Sequence, residues 1–242
     1  MTSNRYHVQG NPVIPVPTIG NLPSDLAQIV ITKFNEAFRG NERIEYTYEY
    51  TSGNPILFSN IPRALGMNQI ALQETNGRIG VISPIQVVRY WDAIPERNST
   101  YADTNAVSLF PNEGPNEDLR QRALQILGIT TKLEVPLLAL GLGVKKADND
   151  YGFTFTETHY QEAIEAPFLR KDQRKDQKVI YDPKTKTLVP TENDRERVYS
   201  LTPIDQSGLR MAVRDWNVSL NFNNGDVLGS NACGRVQFFE GP

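Results

Sequence analysis

Histidine and cysteine are almost missing from this chain of 242 residues: His7, His159 and Cys233 are all it has. A single cysteine excludes an internal disulfide and a four-cysteine zinc site. A serine or cysteine triad would have to draw on one of two imidazoles. No nucleophile signature surrounds Cys233, and Ala232-Cys233-Gly234 reads as a small-residue packing spot with a buried, inert thiol. Long apolar runs are also lacking. The longest, Val135 to Val144, is broken by Pro136, Gly141 and Gly143, and it falls short of the ~18 residues that span a bilayer. Met1 to His7 carry no apolar core of a secretory signal. The expectation is a soluble, cytoplasmic protein without a membrane partner. Strong charge of one sign is absent too: the net charge is −3, so the chain as a whole is not drawn to nucleic acid or anionic lipid.

Apolar material is present in quantity. The composition is 39% hydrophobic and 22% charged, enough for a core and too apolar for a disordered chain. Residues 1–22 form a first unit, in which Pro12, Pro15 and Pro17 alternate with Val13, Ile14, Val16 and Ile19. Proline has no amide donor, so this stretch cannot be an interior strand. It reads as an extended arm laid across a surface, of its own chain or of a neighbour. Val13, Ile14, Val16 and Ile19 are its candidate partner contacts.

A mixed α/β portion, 23–146, and a β-rich portion, 147–242, follow, either as two units with a weak boundary at Ala147 to Gly152 or as one continuous domain. Helices are predicted after Ser24 (Leu26, Ile29, Val30, Phe34, Ala37, Phe38), from Pro84 to before Pro95, after an Asn116 N-cap, and over 157–166. Strands are predicted over 43–50 with a tyrosine-rich face, at 56–58, 69–74 and 78–83 around a hairpin at Asn76-Gly77, and at 106–110. The polar stretch 98–105 reads as loop. Further strands are expected in 133–144, at Phe153 and Phe155, on both sides of the Asp182-Pro183-Lys184-Thr185 turn, and at 197–201. The chain ends on its most aromatic strands: Trp216, Val218, Leu220 and Phe222 share one face, Asn224-Gly225 marks a hairpin, and 236–239 supplies a last strand. The predicted class is α+β, β-rich, with several antiparallel hairpins and a few amphipathic helices.

No stretch carries a recognisable catalytic or metal motif. Asp148-Asn149-Asp150-Tyr151-Gly152 opens like a calcium loop, but the glycine is one place early and His159 stands at the twelfth position. It reads as a solvated turn. Gly141-Leu142-Gly143 has too few glycines for a phosphate cradle and reads as relief in a buried strand. The most unusual segment is the doubled Arg170-Lys171-Asp172-Gln173 and Arg174-Lys175-Asp176-Gln177. On a helix, Arg170, Arg174 and Lys178 form one basic stripe. With Lys171 and Lys175 they are the candidate nucleic-acid contacts. The aspartates screen the stripe, and no aromatic lies inside it to stack a base.

These features point to a non-catalytic structural or protein-interaction subunit of a larger assembly, with a protein partner or self-association through the arm. No cofactor and no metal are expected. By analogy alone, components of phage particles combine such features. Two alternatives stand beside it: a nucleic-acid-binding accessory protein using residues 170–186, and a hydrolase or nuclease whose carboxylates meet only in three dimensions.

Overall fold

The computed structural model describes residues 17–51, 54–95, 100–170, 176–193, 198–203, 205–215, 219–229 and 233–241. Among them, four α-helices and fifteen strands make an α+β, β-rich fold. The first half contains β1 (Thr18–Gly20), α1 (Ser24–Phe38), β2 (Ile56–Leu57), α2 (Ile61–Glu74), β3 (Ile79–Val81), α3 (Pro84–Arg89) and β4 (Tyr101–Leu109). Then come α4 (Glu117–Ile126), β5 (Leu137–Leu140), β6 (Gly143–Lys146), β7 (Phe153–Thr156) and β8 (Glu162–Glu165). The remainder is strand: β9 (Asp176–Asp182), β10 (Thr187–Pro190), β11 (Tyr199–Leu201), β12 (Leu209–Arg214), β13 (Ser219–Asn221), β14 (Gly234–Val236) and β15 (Phe238–Glu240).

A ten-stranded sheet runs β10-β9-β11-β13-β12-β4-β14-β2, with β5 and β8 branching from β4. Its centre is the antiparallel pair β4 and β12, whose register shifts between Met211 and Val213. Side chains alternate across this pair. Val107, Leu109, Met211 and Val213 enter one apolar layer, with Val30 and Phe34 of α1, Ala64 and Leu65 of α2, and Leu119 and Ala123 of α4. Ala106 and Ala212 enter a second layer with Val87 of α3, Val179, Leu220 and Phe168. The central strands are therefore covered on both faces, and the sheet draws strands from both sides of residue 147. Gly66 sets the closeness of the helical layer: a β-carbon there would lie 2.5 Å from the Phe34 ring.

A second, three-stranded sheet has the order β1-β15-β3. Thr18 pairs with Glu240, Ile19 with Phe239 and Gly20 with Phe238. The last part of the predicted arm is thus an edge strand of its own chain, and Leu22 just beyond it is buried in the core.

Several expected elements are different. Residues 43–50 form no strand. Asn35 of α1 bonds the Tyr46 main chain in both directions, so a helix side chain takes the place of a neighbouring strand. The predicted strand 69–74 is the end of α2. Asn60 caps that helix by accepting from the Arg63 amide, and Pro62 sits in its first turn. Asn76 and Gly77 do adopt positive φ (52° and 83°), but they join a helix to β3 rather than two strands. Polar residues 101–105 begin β4 instead of a loop. Thr104 and Ser108 donate to the Ala212 and Arg210 carbonyls of β12, which makes them tolerable between two layers of apolar side chains. Residues 162–165 are strand β8, paired to β5, not helix. Asn224 and Gly225 make no hairpin, and neither has positive φ. The Asn224 carbonyl instead accepts from the Met211 amide. Trp216 and Val218 lie outside the described residues, while Leu220 and Phe222 are buried as expected. Cys233 is exposed, not buried.

Candidate functional site

Of the basic candidates, Lys171, Arg174 and Lys175 lie outside the described residues. Arg170 is exposed, immediately after a 3₁₀ turn at Pro167–Leu169. Lys178 is on strand β9, so it projects with the period of a strand and not as part of a helical stripe. The fold supplies an aromatic partner that the segment itself lacks. Tyr199 faces Lys178 across β9 and β11, with the ammonium 5.9 Å from the ring centroid. Tyr199 is 37% exposed. Of the arm candidates, Val13, Ile14 and Val16 are outside the described residues, and Ile19 is half-buried in β1 opposite Phe239.

The densest cluster of perturbed groups lies elsewhere, where the segment 43–60 enters α2. Phe58 takes positive φ (57°), its amide donates to the Gly234 carbonyl, and the Ile61 amide donates to the Val227 carbonyl. That turn carries Ser59 and Asn60 down onto β4. Arg63, one turn into the helix, folds back beneath it. Its Nε donates to the Ile44 carbonyl at 2.9 Å, Nη1 to Phe58 at 2.5 Å and Nη2 to Glu45 at 2.9 Å. One buried guanidinium thereby gathers three otherwise irregular loop carbonyls. Aromatic rings wall it in. Arg63 stands 5.8 Å from the Tyr46 centroid, Tyr48 lies 5.8 Å from Tyr46, and Tyr48 stacks on Phe58 at 4.1 Å.

Tyr101 and Asp103 of β4 complete the cluster on the side facing α2. Gly234 lets the parts meet: a β-carbon there would lie 2.6 Å from the Tyr101 hydroxyl and 3.0 Å from the Ser59 amide. Asp103 is wholly buried. Neither carboxyl oxygen completes a hydrogen bond, and the Ser59 hydroxyl and Asn60 Nδ2 are likewise unpartnered. Farther along the same helix–strand contact, Asn68 Nδ2 and Asn105 Oδ1 are also orphaned, although Asn68 Oδ1 accepts from the Val81 amide. Buried polar atoms are almost always paired, so a row of orphans marks a place of unusual chemistry.

The electrostatics follow from burial. Desolvation pushes the Asp103 carboxyl up to about 7, opposed in part by the neighbouring Ser59 hydroxyl, which approaches the carboxyl without reaching full hydrogen-bond geometry. The Tyr46 phenol is raised by desolvation against the Leu57 amide that donates to it. The Arg63 guanidinium is lowered by desolvation, with the tyrosines opposing. Asp103 near neutrality holds or releases a proton without a large change of pH. Ser59, Asn60 and Asp103 have no exposed surface, so what reaches them is a proton or water, not a substrate. The sequence conceals this cluster because Asp103 sits in a polar run that reads as loop. Asn60 followed by Pro62 is the one available signal for α2.

No protein-family model, curated protein or solved structure matches this chain. No described helix is long and apolar enough to cross a membrane.

Proposed function

We propose that this protein is a non-catalytic structural or protein-interaction subunit of a larger assembly, joined to its neighbours through the N-terminal arm. The observation that supports this reading is the anchoring of the arm's root. Pro17 is buried, Thr18–Gly20 is hydrogen-bonded to β15, and Leu22 enters the core. The apolar, proline-punctuated residues before Pro17 therefore depart from a fixed edge of a sheet. Side chains such as Val13, Ile14 and Val16 offer apolar contact area, and proline restricts the extended backbone before binding, which lowers its ordering cost. The buried arginines fit the same picture. Arg63, Arg120 and Arg210 all donate to loop carbonyls, a use of charge that stiffens a scaffold.

The test is removal of residues 1–16, which leaves β1 and Leu22 in place. Sedimentation of full-length and shortened protein should show loss of assembly, with circular dichroism unchanged. If both forms sediment as the same folded monomer, and the full-length form recovers no partner in a pull-down, the reading fails.

The Lys178–Tyr199 pair favours a second reading, contact with single-stranded nucleic acid by stacking and phosphate neutralisation. Its test is binding of an oligonucleotide at low salt by wild type and by Tyr199→Ala. Equal affinity of the two removes it.

A further inference from the structure

We propose that Asp103 and the Ser59–Asn60 turn form a proton-operated latch between β4 and the start of α2. Protonated, the carboxyl is a neutral group that the dry contact accepts. Ionised, it draws water between the strand and the turn and loosens the Phe58–Arg63 region. The geometry carries this in three ways. Both Asp103 oxygens, the Ser59 hydroxyl and Asn60 Nδ2 are fully buried and unpartnered within one contact. None of these atoms completes a hydrogen bond, although the Ser59 hydroxyl lies close enough to the carboxyl to act on it, so a small opening that admits water gives them partners. Beyond the Asn60 cap of α2, the turn is tied to the rest of the fold by Phe58 to Gly234, Ile61 to Val227 and the Arg63 clasp.

The surroundings leave Asp103 alone to titrate near neutral pH. From β4 itself the facing titratable group is Tyr101. From 43–60 it is Tyr46, whose phenol is raised further from neutrality. From α2 it is Arg63, which remains a cation held by three carbonyls. From β12 the same side carries Val213, with Arg210 and Arg214 on the alternate positions. From β14 it carries Gly234 and Val236, while Arg235, on the alternate position, acts on the Tyr46 phenol and not on the carboxyl. Arg63 forms no ion pair with the carboxyl, whose level is set by burial. The latch is independent of the arm and stands whether or not the protein assembles.

Amide hydrogen exchange tests it on the full chain. Wild type and Asp103→Asn are compared at about pH 5.5 and about pH 8.5, after correction for intrinsic exchange. In wild type the protection of the Phe58, Ile61 and Ala64 amides should fall by roughly tenfold or more at the higher pH. In Asp103→Asn it should stay level, while amides of α4 behave alike in both proteins. A wild type without the drop, or a variant that keeps it, overturns the proposal. The ¹³C resonance of the Asp103 carboxyl in wild type decides the question if the variant does not fold. A midpoint between about 6 and 8 supports the latch, and one below about 5 sinks it.

Discussion

The side-chain amide of Asn35 grips the main chain of Tyr46 from both directions: Nδ2 donates to the carbonyl at 2.7 Å and Oδ1 accepts from the amide at 2.8 Å. This is the bond pattern of a neighbouring strand, supplied by one helical residue. Asn35→Ala removes both bonds and should cost ~1–3 kcal/mol in denaturant unfolding. Asn35→Asp keeps the acceptor and loses the donor, so it should fall between wild type and alanine. An alanine variant as stable as wild type would show that water replaces the amide without loss.

Arg63 should be irreplaceable by lysine. Its guanidinium meets three carbonyls in three directions, and an ammonium is a point donor on a stem of different reach. Arg63→Lys should lose on the order of 3 kcal/mol, because loop carbonyls are left buried and unpaired. Tyr46 fluorescence should report the loosened loop. Stability within a few tenths of wild type would contradict the clasp.

Asn116 tests a different role from the one its position suggests. It precedes α4 but makes no side-chain bond to that helix and takes φ 60°. Its Nδ2 donates instead to the Leu209 and Gly225 carbonyls, at 2.9 and 2.8 Å. An N-cap asparagine tolerates aspartate, whereas a donor does not. Asn116→Asp should therefore destabilise by ~1–3 kcal/mol, as much as Asn116→Ala. Melting curves of the two variants decide it: an aspartate variant at least as stable as wild type restores the capping role.

The pH dependence of stability has a defined sign at Asp103. Its carboxyl sits near 7 in the fold and near 3.8 when the chain is unfolded. Between those values the folded state holds a proton that the unfolded state has released, so stability is full below the lower value and declines as pH rises toward the upper one. Above about 7 this contribution is level. Asp182, lowered by the Lys184 amide and the Thr185 hydroxyl, works in the opposite sense and loses its contribution only in acid. The useful measurement is hence the difference in thermal midpoint between wild type and Asp103→Asn from about pH 4 to 8. The variant should gain on wild type across that range, and a constant difference would refute the assignment.

What is legible in the sequence is periodicity with one wet side. α1 and α4 show an apolar stripe and a polar face, and Gly128 stops α4 with φ 69°. The Asp182–Thr185 turn links β9 to β10 as its composition dictates. What is hidden is structure buried on all sides. Most of α2 is buried, polar Arg63 and Asn68 included, so it has no amphipathic period to read. β4 is polar in sequence because its hydroxyls bond carbonyls of β12. The Asp103 site follows from both omissions at once: it exists only where an unread helix meets the unread first half of a strand. The root of the arm is extended, as its prolines imply. That Ile19 pairs with Phe239 depends on a residue more than two hundred positions away, which no local pattern records.

That pairing bears on how the chain is made. β15 lies between β1 and β3, so two segments made well before it leave the ribosome with an empty slot between them. Nothing can bridge Thr18–Gly20 to Ile79–Val81 until Phe238–Glu240 has emerged. The three-stranded sheet is therefore a late event, closed by β15 after the upstream helices are already out and able to pack. Until then the two waiting strand edges lack their native partner and are open to pairing with other chains.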